Sequence, residues 1–149
     1  MPISINITNR KVAIIGGGKV GYHKATILHR FTDKATVISP AFCEGFENLP
    51  FELVRKEYEK ADLDGVFLLY ICTENSLLNQ QIKKDDEELG ILASVCDSAA
   101  LCDFISPAIL KKDNVTIAVS SNAQNVRQSI EIRNQIEELE KNGTVQIDK

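Results

Sequence analysis

The feature that most constrains this chain lies near its start. Lys11-Val12-Ala13-Ile14-Ile15 is a short apolar run rich in β-branched residues, and it ends directly in Gly16-Gly17-Gly18-Lys19-Val20-Gly21. Such a run bounded by glycines reads as a buried strand. Val20, Ile27, Leu28 and Phe31 then recur at helical spacing, so the expected helix covers 20–31. In a strand–turn–helix setting each glycine of G-x-G-x-x-G has a physical task. Gly16 permits the tight turn, Gly18 lets a pyrophosphate approach the backbone, and Gly21 lets helix and strand pack closely. The helix start at Lys19 and Val20 offers unpaired N–H groups to phosphate oxygens.

The same alternation continues along the chain. Ala35 to Ser39 reads as a strand stopped by Pro40, and Phe51 to Arg55 as a short third strand. Val66 to Cys72 is too continuously apolar for a strand with one wet face, which suits a central parallel strand covered on both sides. Ser76 is the expected N-cap of a helix through Leu89, with Gly90 as its stop. Ile91 to Cys96 and Val115 to Ser120 are further strands, and 125–141 is a polar helix. Strands alternating with helices predict an α/β fold, a Rossmann-type doubly wound parallel sheet with helices on both faces. The one soft boundary is Lys111-Lys112-Asp113-Asn114. It divides the expected nucleotide-binding domain, 1–113, from a small strand-helix extension, 114–149.

Composition narrows the partners. A net charge of −4 gives no electrostatic reason to expect nucleic acid. No apolar run approaches the roughly 20 residues of a membrane helix, and the N-terminus lacks a basic region followed by an apolar one. Cys43, Cys72, Cys96 and Cys102 form no Cys-x-x-Cys pair, and they read as reduced, mostly buried thiols of a cytoplasmic protein rather than metal ligands.

Ligands of an open parallel sheet bind outside the carboxyl ends of its strands. That edge carries Ser39 and Pro40, then Thr73, Asn75 and Asn79, then Asp97. An acid that would bind ribose hydroxyls is expected about 20 residues beyond the glycines. Ser39-Pro40-Ala41 stands there instead, and no arginine marks a 2′-phosphate site, so these residues leave NAD and NADP both open.

Taken in order, these segments resemble the precorrin-2 dehydrogenase family of siroheme biosynthesis, which includes the N-terminal part of siroheme synthase. The likeness rests on Asn9 to Val12, the GGGKVG turn with Lys24 after it, Val37 to Pro40, Asp62 to Gly65, Thr73 to Asn79, Val95-Cys96-Asp97, Phe104 to Ile109 and Thr116 to Ser121. The resemblance implies an NAD-dependent oxidation of precorrin-2 to sirohydrochlorin. It favours NAD because the family is similar in lacking the acid after its second strand. It also implies Asp97 as general base, or as metal or substrate organiser in a chelatase. The glycine turn and the strand-end edge themselves point to Gly16, Gly18, Lys19, Val20, Gly21, Ser39, Pro40, Thr73, Asn75 and Asn79 as the residues that hold the cofactor. The substrate carries many carboxylates, so His23, Lys24, Lys111, Lys112, Arg127 and Arg133 are candidates to line its cleft. Ser120 and Asn122 join them through the loop that meets substrate in the family. A homodimer is implied through the last strand and helix, where Ile132, Ile136 and Leu139 form a narrow apolar stripe.

The chain departs from the family pattern in two places. After Ser120-Ser121 it reads Asn122-Ala123-Gln124-Asn125-Val126, where the family has paired glycines and a Ser-Pro. It ends at Lys149, where the family continues into a helical domain, so dehydrogenation rather than iron insertion is the expected activity. Two other readings stay open at this point: an NAD-binding regulatory or carrier subunit without turnover, and a reduced sirohydrochlorin chelatase.

Overall fold

β1 (Lys11–Ile15), β2 (Thr36–Ser39), β3 (Glu52–Arg55), β4 (Val66–Ile71) and β5 (Leu92–Val95) pair as one parallel sheet. This is a computed structural model, and it describes residues 1–147. The strand order is β3-β2-β1-β4-β5, so the chain reverses its direction of travel between β1 and β4. Helix α1 (Lys19–Leu28) joins β1 to β2, and α2 (Ser76–Leu89) joins β4 to β5.

Strand periodicity sends alternate residues to opposite faces. Val12 and Ile14 of β1 pack with Ala25 and Leu28 of α1 on one face. Ala13 and Ile15 pack with Ile82 of α2 on the other, together with Leu69 and Ile71 of β4. The sheet is therefore wound on both sides, and the continuous apolar run of β4 is explained by its double cover. Helix α1 is shorter than the apolar spacing suggests. It ends at Leu28, and Phe31 lies in the following turn, 41% exposed.

The chain divides into two compact units, Met1–Phe104 and Ile105–Lys149. The division falls before the 113/114 boundary expected from sequence. The reason is an unanticipated strand, β6 (Ala108–Lys112), which pairs antiparallel with β7 (Val115–Val119). Asp113-Asn114 is thus a tight hairpin turn inside the second unit, with Asp113 at φ 49°. The second unit is a hairpin plus helix α3 (Val126–Lys141), not a single strand plus helix. Arg133 donates from Nη1 to the Ile109 carbonyl at 3.1 Å, and Lys112 pairs with Glu140, so both cations tie α3 to the hairpin. Residues 148 and 149 of the expected extension lie outside the described residues.

Cys72 and Cys96 follow the register-paired Ile71 and Val95, which sets them side by side with Cα atoms 5.2 Å apart, within reach of a disulfide. Adjacent parallel strands bring these side chains together, a proximity that strand spacing in sequence does not reveal. Cys43 and Cys102 are free. The Cys102 thiol takes an N–H from Val95 at 3.1 Å and lies 3.3 Å from the Ser98 carbonyl, pinning the loop after β5.

A buried ionic cluster anchors α2. Lys83 donates to Asp86 at 3.1 Å and to Asp103 at 2.8 Å, while Asp103 also accepts from the Ala93 N–H. Burial pushes the Asp86 carboxyl up to about 6 against the pull of Lys83, and its Oδ2 has no partner among the described residues. Burial also works against the Lys83 ammonium, but its bonds to Asp103 and Asp86 outweigh it and raise the pKa.

Candidate dinucleotide site

The glycine turn sits at the carboxyl end of β1, where strand order reverses. Gly16 adopts φ 122°, a conformation open to glycine, and donates to the Ile38 carbonyl at 2.9 Å. The glycines differ in what surrounds them. A Cβ at Gly16 would lie 2.4 Å from the Cys72 carbonyl oxygen, one at Gly17 2.2 Å from that of Ala41, and one at Gly21 2.0 Å from that of Gly16. These three are packed by the protein itself. At Gly18 the one atom within 4 Å is Glu74 Oε1 at 3.4 Å, an ordinary contact with a side-chain end, so a Cβ here would displace no protein atom. Gly18 is also the N-cap of α1 and provides no side-chain bond to the first turn, which leaves the helix N–H groups there without a side-chain cap.

Beside the turn lies a cavity of about 470 Å³. Its walls are Gly16 to Gly18, Ser39 to Cys43, Glu57 and Tyr58, and Thr73 to Asn75 with Leu78. Of the residues expected to hold cofactor, Gly16, Gly18, Ser39, Pro40, Thr73 and Asn75 thus meet around one space. Lys19 and Val20 are exposed on the first turn of α1 and do not line it, and Gly21 packs against Gly16.

Asn79 stands behind the wall rather than in it. It is 1% exposed, its Nδ2 donates to the Thr73 carbonyl at 3.0 Å, and its Oδ1 accepts from Thr73 Oγ1 at 2.5 Å. Its role is to orient Thr73. The expected cap also moves by one residue. Asn75, not Ser76, caps α2, its Oδ1 accepting from the N–H groups of Leu77 at 3.0 Å and Leu78 at 3.1 Å. Ser76 is released from capping and donates to Asp97 Oδ2 at 3.0 Å.

Asp97 is exposed beyond the end of β5, on the same sheet edge as the cavity but outside its lining. His23 is exposed on α1. Lys24 is half-buried, and burial pushes its amine down, partly opposed by the nearby Cys102. Ser120, Asn122 and Arg127 belong to the second unit. There Arg127 is ion-paired with Glu131 at 3.0 Å, and the Asn122 N–H donates to Ser120 Oγ at 3.2 Å. Asn122 and Ala123 both take left-handed backbone, at φ 51° and 63°, so the loop makes its turn without glycine.

Part of the wall belongs to no sequence motif. Phe42, Glu57, Tyr58 and Glu74 line the cavity, and Tyr58 donates to Asp85 Oδ2 at 2.8 Å. Burial and that bond hold the Tyr58 phenol well above its usual range. The rule that ligands sit beyond strand ends finds Glu57 and Tyr58 when it is applied to β3 as well as to β1, β2 and β4.

A glycine turn at the reversal of a doubly wound parallel sheet, opening on a cavity that crosses the neighbouring strand ends, defines a dinucleotide-binding Rossmann domain. The chain belongs to the family described as "Putative NAD(P)-binding", whose model matches residues 3–108. It is similar to siroheme synthase of Psychrobacter sp. (strain PRwf-1), 33% identical over 127 residues, covering 83% of this chain and 26% of that protein. It is also similar to siroheme synthase of Photorhabdus laumondii subsp. laumondii, 32% identical over 125 residues, covering 81% and 27%. The chain thus spans about a quarter of the length of these relatives. Among solved structures, its fold is similar to that of "SirC, precorrin-2 dehydrogenase", with TM-score 0.77 and 18% identity over 95% of this chain and 70% of that one.

Proposed function

We propose that this chain is an NAD-dependent dehydrogenase that oxidises precorrin-2 to sirohydrochlorin. The observation that carries the reading is the open side of Gly18 on the 470 Å³ cavity, within a stretch related over 127 residues to siroheme synthase. The residues present fit the cofactor: a cradle that side chains would fill is kept clear, with Ser39, Pro40, Thr73 and Asn75 around it. Bound NAD supplies the hydride acceptor. The chain's own task is to position both reactants and take up a proton. Asp97 is the proposed general base. Ser76 holds its Oδ2, which leaves Oδ1 without a partner among the described residues. Lys24, half-buried and without a carboxylate partner among the described residues, is the proposed contact for a substrate carboxylate.

Anaerobic incubation with precorrin-2 and NAD tests this directly, read as the absorbance of sirohydrochlorin and NADH. Asp97→Ala is expected to lower the rate on the order of 10²-fold or more while leaving NAD binding unchanged. No turnover by folded protein would overturn the activity, and an undiminished rate would remove Asp97 from it.

The reading extends to a homodimer acting in the cytoplasm. Val126, Ile130, Ile132 and Leu139 of α3 are exposed apolar residues that support self-association. Among the described residues no helix is long and apolar enough to cross a membrane. Sedimentation velocity reporting a monomer at micromolar concentration would overturn the dimer.

A further inference from the structure

The cavity beside the glycine turn has an acidic wall. Glu57 lies just beyond β3, the strand paired with β2, and Glu74 lies beside Gly18. Neither carboxylate has a hydrogen bond or ion pair among the described residues. Among the described residues no lysine, arginine or histidine lines the cavity. Lys56, the neighbour of Glu57, is held by Glu59 at 2.8 Å and Asp62 at 2.9 Å. Arg55 places its guanidinium over the Phe42 ring, 5.1 Å from the centroid, and does not line the cavity.

This arrangement bears on a gap in the fingerprint. The carboxylate that a dinucleotide fold places beyond its second strand to bind ribose hydroxyls is replaced here by Ser39 and Pro40. We propose that Glu57, reaching the same cavity from the end of β3, takes over that task and selects NAD against NADP. A carboxylate accepts hydrogen bonds from a ribose diol. The 2′-phosphate of NADP offers no hydroxyl at that carbon and adds about two negative charges. Beside an unpaired carboxylate in a cavity without cations, those charges cost on the order of tenfold to a hundredfold in affinity. The inference rests on the dinucleotide reading of the cavity, and the test separates the two.

The experiment is calorimetric titration of the full chain with NAD and, separately, with NADP. The wild type is expected to prefer NAD by on the order of tenfold or more. Glu57→Gln should bring the two affinities close together, mainly by tightening NADP, and Glu57→Lys should reverse the preference. Glu74→Gln is the control for net charge: it removes a carboxylate from the same cavity near the glycine turn, and should move both affinities together. Glu57 is exposed, so these variants are expected to keep the wild-type melting temperature. The proposal is overturned if Glu57→Gln leaves the ratio unchanged, or if Glu74→Gln shifts it as far. A wild type preferring NADP would also overturn it and assign the phosphate end to Arg55. A wild type that binds neither nucleotide overturns the dinucleotide reading itself, and the role of Glu57 with it.

Discussion

Gly18 and Gly21 belong to one motif, yet their surroundings give them different work, and alanine at each should fail differently. Gly21 lies inside α1, where alanine would ordinarily gain about 1 kcal/mol of helix propensity. Its Cβ, however, would stand 2.0 Å from the Gly16 carbonyl oxygen and 3.0 Å from the carbonyl carbon. Backbone must move to relieve that contact, and overpacking of this kind costs about 1–3 kcal/mol or more. A contact this short with backbone belongs at the upper end of that range, so after the helix gain Gly21→Ala should lose about 2 kcal/mol of stability. The displaced Gly16 turn should lose nucleotide affinity as well. At Gly18 the added Cβ meets nothing closer than 3.4 Å. Alanine is a poorer N-cap than glycine, a cost of about 1 kcal/mol or less. Its methyl would nevertheless occupy the open side of the turn, where a pyrophosphate must approach. Gly18→Ala should therefore stay close to wild type in thermal melting but bind NAD about tenfold to a hundredfold more weakly, equivalent to about 1.4–2.8 kcal/mol. Melting without ligand and calorimetric titration with NAD make the comparison. Wild-type affinity in Gly18→Ala would refute the assignment of the open side to phosphate, and wild-type melting in Gly21→Ala would refute the packing argument.

Two further outcomes follow from strain and burial. The folded Asp86 carboxyl is raised from 3.8 to about 6, so the folded chain holds a proton that the unfolded chain has already released. Its contribution to stability is fully present below pH 3.8 and is lost as pH rises through about 6. Urea unfolding across that window should show the wild type losing stability with rising pH relative to Asp86→Asn, and a constant difference between the two would refute it. Ala123 sits at φ 63°, which costs a non-glycine residue about 1–2 kcal/mol. Ala123→Gly should release that strain less the entropy of a freer unfolded chain, a net gain of about 0.5–1 kcal/mol, whereas Asn122→Gly should gain less because asparagine tolerates left-handed backbone. A lower denaturation midpoint for Ala123→Gly would contradict this.

The parallel sheet was legible because its strands carry their own signature. β1 and β4 are continuous apolar runs, and the glycines fix where β1 ends. β6 was not legible: Ala-Ile-Leu-Lys-Lys has no strict alternation, and Asp113-Asn114 reads equally as a linker or a hairpin turn. Asn79 was legible as part of the site but not as the residue that orients Thr73, since its role depends on being 1% exposed. Glu57 was missed for a different reason. It belongs to no motif, and only the pairing of β2 with β3 carries its segment to the cavity. The same holds for Cys72 and Cys96, which stand 24 residues apart in sequence and are brought together by the register of β4 and β5.

The sheet order also separates the two carboxylates given functional roles. Glu57 follows β3 and Asp97 follows β5, the two edge strands of the order β3-β2-β1-β4-β5. At about 4.8 Å per strand spacing, those edges are about 19 Å apart. Two groups at that distance cannot share one reacting atom, and across a water-facing edge their charges are screened from each other. Their substitutions should therefore be independent. Asp97→Ala should lower kcat at saturating NAD without changing the ratio of NAD to NADP affinity. Glu57→Gln should change that ratio without lowering kcat at saturating NAD. The double variant should show both effects with no coupling between them. Measured coupling would mean that the two carboxylates act at one end of the cavity, and the division of labour drawn from the sheet order would fail.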